Sequence, residues 1–215
     1  SREDLTMLTE VPWELNLDRI ERAVNGYRNA KERVGDRGIV RLGLSSPVVC
    51  ISGCMPFEMF LELSVTDAGW FHDICREITR RQLAMLDALF ETGVAFDSIA
   101  NLGGSEQCTP PMMQPEAFDE YVAPYDGAIV ERLKRGGIPV NMHCHGKVSH
   151  ALGCMVEMGI DSSDPVEPPP AGDCTYAEAR EIVGDRLTIV GNLEFDELEY
   201  AEPEDIRRHV REILS

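Results

Sequence analysis

The densest group of reactive side chains is Asn141-Met142-His143-Cys144-His145-Gly146. On an extended strand, positions i and i+2 face the same side, so His143 and His145 project together and Cys144 points away. Two imidazoles on one face can supply two protein ligands of a catalytic zinc and leave a position open for substrate. Asp97, Asp164, Glu167 and Glu194 are candidates for a third ligand, and Cys174 is a further one. In the plainer alternative, one histidine anchors its loop through the backbone and the other lines a pocket without metal. Phe96-Asp97-Ser98 sets a carboxylate after a short apolar run, where burial would raise its pKa toward a general acid or an ammonium-binding group. The alternative is an Asp that caps the following loop. Asp164-Pro-Val-Glu-Pro-Pro-Pro170 holds Asp164 and Glu167 on backbone stiffened by proline, and Gly191-Asn192-Leu193-Glu194 allows close backbone approach to a ligand with Glu194 in reach of it.

These residues need elements that bring them to one place. Apolar spacing of three to four residues over 15–35 predicts a helix stopped by Gly35, and 67–92 reads as a long helix with Asp67 as N-cap and Gly93 as stop. Further helices are expected at 56–63, from Pro115 to Gly136-Gly137, and at 148–158, 175–183 and 203–214. Strands are expected at 38–44, 93–97, 138–143, 160–164 and 187–190. Strand followed by helix, several times over, means parallel βα units. Their carboxyl ends then carry Asp97, His143 and Asp164, with Glu194 just past the last. Reactive groups at successive strand ends, with no Gly-rich phosphate turn, favour a TIM (β/α)8-type barrel over an open doubly wound sheet. About five βα units are visible where a closed barrel has eight, so residues 1–215 are expected to form one incomplete barrel domain, a fragment of a longer chain, with closure by a homodimer as the alternative.

Composition sets the outer bounds. The chain has 215 residues and a formal net charge of −18, with a pI near 4.6. Such a balance argues against nucleic acid, which demands clustered Lys and Arg, and against anionic membrane surfaces. No apolar run approaches the length of a membrane span. Seven cysteines, an odd number, suit reduced thiols in a cytoplasm better than a disulfide framework. The Met112-Met113 pair and the Met-containing segment 155–158 read as core filling, and the acidic run 194–199 as a solvated face.

At its strand ends the sequence resembles the uroporphyrinogen decarboxylase superfamily. The resemblance rests on Phe96-Asp97-Ser98, on the Pro115–Pro124 helix, and on His143-x-x-Gly146, Met158-Gly-Ile-Asp161 and Gly191-Asn-Leu193 in the family's order. Ser52-Gly-Cys-Met-Pro-Phe57 adds a G-x-P-F-like turn. It covers roughly residues 37–214 and implies a TIM barrel with its active site at the carboxyl ends of the strands. One branch, the decarboxylases, removes carboxyl groups from a tetrapyrrole without a cofactor. For that branch the resemblance implies a lyase with Asp97, His143, Asp164 and Glu167 as catalytic residues and Phe96, Ser98, Gly146, Asn192 and Glu194 as substrate contacts. The other branch consists of corrinoid-dependent methyltransferases, which use zinc to activate a thiol acceptor; there His143 and His145 are the metal ligands and a methylated corrinoid is the partner. His145 stands where those methyltransferases have a zinc-binding Cys, and the decarboxylases' Arg-rich amino-terminal segment has no counterpart. A barrel that binds metal or tetrapyrrole without catalysis is the third expectation.

Overall fold

The computed structural model describes residues 1–191 and 193–214. Five parallel strands form one sheet in chain order: β1 (Val40–Ser45), β2 (Ser98–Gly103), β3 (Val140–His143), β4 (Ser162–Asp164) and β5 (Thr188–Ile189). Between them run helices that cover one face. α1 (Arg2–Glu10) and α2 (Leu17–Val34) precede β1; α3 (Pro47–Ser52), α4 (Phe57–Thr66) and α5 (Ala68–Glu91) connect it to β2. α6 (Glu116–Tyr121) and α7 (Ala123–Arg135) lead to β3, α8 (Ser149–Met158) to β4, and α9 (Tyr176–Val183) to β5; α10 (Phe195–Tyr200) and α11 (Pro203–Ile213) follow. A parallel, sequentially ordered sheet with helices on its outer face is an arc of a TIM-type barrel.

The two faces of the arc differ in chemistry because successive strand residues alternate sides. Ala100, Leu102, Val140 and Met142 point to the helices and are fully buried, packed with Phe60, Phe71, Phe118, Ile129, Leu133, Leu152 and Met155. Burying one such side chain contributes roughly 1.5–3 kcal/mol, so this layer holds the arc together. The concave face is polar. Gly43, Asn101, Asn141, Ser162 and Thr188 stand in one row across the five strands, and Ser45, Gly103, His143 and Asp164 in the next row toward the carboxyl ends.

Several expectations shift. The second strand runs over 98–103, not 93–97: Gly93 takes a positive φ of 68°, and 94–97 is an irregular lead-in whose Phe96 ring packs on Tyr27 at 4.8 Å. The apolar run Val94-Ala95-Phe96 imitates a buried strand, whereas the true strand, Ser-Ile-Ala-Asn-Leu-Gly, is masked by Ser98, Asn101 and Gly103. The helix expected from Pro115 is two helices broken at Val122, because Pro124 has no N–H for the Glu120 carbonyl and its ring crowds that turn. The Asp67 side chain makes no capping bond to α5; its carboxylate accepts a hydrogen bond from Arg2 instead. Met155 is core as expected, but Met112 is exposed.

Candidate functional site

The site is built at the carboxyl ends of β3 and β4. The neighbouring residues His143 and Asp164 are paired in register, and the loop after β3 turns at Gly146 with φ 88°. A Cβ there would stand 3.3 Å from the Pro110 carbonyl oxygen, so glycine lets this turn lie against the 105–111 loop. The Gly146 N–H donates to Glu167 Oε2 at 2.5 Å. The far end of the turn is held by Asp173, whose carboxylate accepts from the Ser149 N–H at 3.0 Å and from its hydroxyl at 2.6 Å, capping α8.

The two imidazoles meet edge to face with ring centroids 4.7 Å apart. His143 Nε2 and His145 Nε2 lie 3.1 Å apart. Each ring turns its other nitrogen to a carboxylate: His145 Nδ1 lies 3.0 Å from Glu167 Oε1, and His143 Nδ1 lies 3.5 Å from Asp164 Oδ1. Asp164 in turn accepts from Asn141 Nδ2 at 2.5 Å. The same Nδ2 donates to Asn101 Oδ1 at 2.8 Å, while Asn141 Oδ1 accepts from the Ser162 hydroxyl at 2.7 Å. Arg41 donates to Asn101 from the strand beyond. One hydrogen-bonded network therefore runs from β1 to β4 beneath the imidazole pair. Burial works to raise the Glu167 carboxyl, but the His145 ring and the Gly146 N–H outweigh it and hold the group below the usual carboxylate range.

This geometry says what the pair can bind. A carboxylate on Nδ1 favours the tautomer with the proton on that nitrogen, leaving Nε2 with its lone pair outward. Two such lone pairs at 3.1 Å repel each other unless a proton or a cation sits between them. Tetrahedral zinc with Zn–N near 2.0–2.1 Å sets its nitrogens about 3.3 Å apart, close to the observed spacing. The donor set thus fits a zinc ion as two of its ligands, with Asp164 and Glu167 orienting the rings. Cys144 is buried on the helix side, and burial pushes its thiol up to about 12. Cys174 is likewise buried, with its thiol raised by that burial. Among the described residues, none of the candidate third ligands completes a three-donor cluster with the two histidines.

The remaining sequence candidates are dispersed. Asp97 does not stand at the mouth: it precedes β2 at its amino end, about 20 Å along the strand from the His143 row at 3.3 Å per residue. Its carboxylate is 81% exposed and ion-paired with Lys31, and its N–H donates to the Tyr27 hydroxyl at 2.8 Å. Phe96 lies at the same end, packed on Tyr27, and Ser98 is buried on the helix side. These three corrections share one cause, the displaced second strand. Glu194 leads into α10 and has no hydrogen bond to the network among the described residues. Asn192 lies outside the described residues. Asn101, Asn141 and Ser162 are members of the network that the strand reading passed over; the signal available was their period-2 placement once β2 is set at 98–103.

Comparison with known proteins agrees with this architecture. The family described as uroporphyrinogen decarboxylase (URO-D) matches over residues 1–215, and the chain belongs to that family. Two curated relatives, both methylcobamide:CoM methyltransferase MtaA, one from Methanosarcina barkeri and one from its strain Fusaro, are 26% identical over 183 residues. The match covers 83% of this chain and 50% of each relative, so the chain spans about half the length of the curated relatives it matches. A solved methyltransferase from Methanosarcina mazei superposes with a TM-score of 0.65 at 19% identity, covering 86% of this chain and 52% of that one. That likeness establishes the shared fold. No helix among the described residues is long and apolar enough to cross a membrane.

Proposed function

We propose that this chain carries the metal-binding part of a zinc-dependent, corrinoid-linked methyltransferase, with His143 and His145 as zinc ligands. The observation that carries the reading is the convergence of the two Nε2 atoms at 3.1 Å, each ring backed by a carboxylate at Nδ1. Similarity to methylcobamide:CoM methyltransferases supports it. The amino-end position of Asp97 weighs against the rival, a cofactor-free carboxy-lyase built on that residue.

Zinc at this position would supply a Lewis acid that lowers the pKa of an incoming thiol. The chain's own residues do the rest. Glu167 holds the Nδ1 proton of His145 and is itself fixed by the Gly146 N–H. Asp164 faces the Nδ1 of His143 and is fixed by Asn141. Arg41 and Asn101, on the same concave face, offer a cation and an amide to an anionic group on the acceptor. That cation is also the feature that favours the second reading, a decarboxylase-like lyase binding a substrate carboxylate at Arg41. We place the chain as a fragment of a longer protein, and the small-molecule thiol and the methylated corrinoid are its proposed partners.

The test is methyl transfer from a methylated corrinoid to a thiol by the full-length protein, before and after chelation. Zinc-restored transfer that falls with both His143→Ala and His145→Ala is the expected result. Undiminished transfer in the chelated enzyme, or cofactor-free release of carbon dioxide from a porphyrinogen, would overturn it in favour of the lyase.

A further inference from the structure

A second cluster of metal-ligating groups lies on α6 and α8 and shares no residue with the carboxylate–imidazole network. His150 and Cys154 are four residues apart on α8 and so present their side chains on one face. Asp119, from α6, stands opposite them. His150 Nε2 is 2.5 Å from Asp119 Oδ2, and Cys154 Sγ is 3.1 Å from Asp119 Oδ1. The three ligand atoms all lie within 4.8 Å of one another.

The setting suits a cation. The trio borders an open groove of 740 Å³; Glu131 and Glu157 in its lining are ion-paired with Arg135 and Arg186, so Asp119 is the carboxylate that faces the ligand atoms. Gly127 and Gly153 also line it, and a Cβ at Gly153 would meet nothing within 4 Å. His150 and Asp119 are about half exposed, so small rotations bring their atoms from hydrogen-bond spacing to the edge of a coordination tetrahedron. We propose that Asp119, His150 and Cys154 form a second divalent-metal site, selective for zinc-like ions, with a fourth position open to the groove. Imidazole, thiolate and carboxylate together match zinc or cobalt and suit magnesium or calcium poorly. The bound ion ties α6, which precedes β3 in the chain, to α8, which follows it in the same outer layer of helices, so its direct effect is to brace the helices that flank the imidazole strand in sequence.

The test uses the full chain, stripped with chelator and titrated with cobalt(II). Only a site containing thiolate gives a sulfur-to-cobalt charge-transfer band in the near ultraviolet; the histidine pair at 143 and 145 gives none. The expected result is a band saturating at one equivalent, absent in Cys154→Ser and His150→Ala and retained in His145→Ala. In zinc competition, Cys154→Ser is expected to weaken one equivalent by at least about tenfold while the other is unmoved. Far-ultraviolet circular dichroism of Cys154→Ser checks that its fold is kept. Absence of the band in the unmutated chain, or its survival in Cys154→Ser, would overturn the proposal and leave the trio as a hydrogen-bonded clasp. Loss of metal at the histidine pair alone would leave this site standing, because the band does not depend on His143 or His145.

Discussion

At the scale of single residues, the site depends on how two imidazole rings are oriented. A histidine presents a metal-binding lone pair only while its other nitrogen carries the proton, an arrangement favoured by Glu167, 3.0 Å from His145 Nδ1, and by Asp164, 3.5 Å from His143 Nδ1. Glu167→Gln keeps the volume and the contact with the Gly146 N–H but loses the charge on His145. Zinc affinity at the pair is therefore expected to fall by about 10–100-fold with the fold intact, as chelator competition would measure. An unchanged affinity would show that Glu167 only braces the turn. Gly146 presents a different demand. Its φ of 88° and the 3.3 Å approach to the Pro110 carbonyl leave no strain-free place for a Cβ. Gly146→Ala is expected to destabilise the chain by about 1–2 kcal/mol, read as a lower urea midpoint with unchanged slope.

At the scale of elements, β1 is tied to α7 by a buried polar pair. Ser46, at the start of α3, donates to Asp126 Oδ2 at 2.8 Å, and Asp126 is fully buried. Burial pushes its carboxyl up to about 7, against the smaller opposing effects of the Ser46 hydroxyl and a backbone N–H. The thiols of Cys75, Cys108 and Cys144 are raised mainly by burial and, to a smaller extent, by the nearby Asp126 charge. A folded-state pKa above the unfolded value near 3.9 means that the protonated form favours folding. The contribution is complete below about pH 4 and is lost as pH rises through about 7. Asp126→Asn, which cannot titrate, is expected to flatten the fall in unfolding free energy between those values; an identical pH profile would refute the assignment. Glu77, held down to about 2 chiefly by Arg80 and Arg81, acts in the opposite sense and only below about pH 4.5. α9 shows a local device legible without tertiary contacts: Thr175 and Glu178 form a reciprocal capping box. Thr175→Ala is expected to cost about 0.5–2 kcal/mol, measured by the same denaturation.

At the scale of the whole molecule, the five strands among the described residues leave β1 and β5 each paired on one side only. Unpaired strand edges invite association, and Phe195 and Leu214 expose 88% and 80% of their surface beyond the last strand. Opposing this is a net charge of −18, which keeps copies apart at low ionic strength. The two effects predict that the 215-residue chain, studied alone, self-associates more strongly as salt screens the repulsion. Sedimentation velocity at low and high salt would show it, and a salt-independent monomer would mean that the edges are protected by the concave face itself.

Much of this was available from residue order. Repeated βα alternation defined the barrel class, and the short His143-x-His145 spacing keeps the two rings close in the chain. His145 lies just past the end of β3, however, so the loop and Glu167, not strand periodicity, bring its ring to His143. The capping box of α9 is local to its own segment; the break at Val122, where one helix is expected from Pro115 to Gly136-Gly137, is not anticipated although Pro124 causes it. The register of β2 was not local. An apolar lead-in at 94–96 competed with a strand interrupted by Ser98, Asn101 and Gly103, and only pairing with β1 and β3 decided between them. That pairing moved Asp97 to the opposite end of the sheet from the imidazoles. It also drew Asn101, Asn141 and Ser162 into one network, since contacts between strands 20 to 40 residues apart depend on sheet register and not on any signal carried by a single segment.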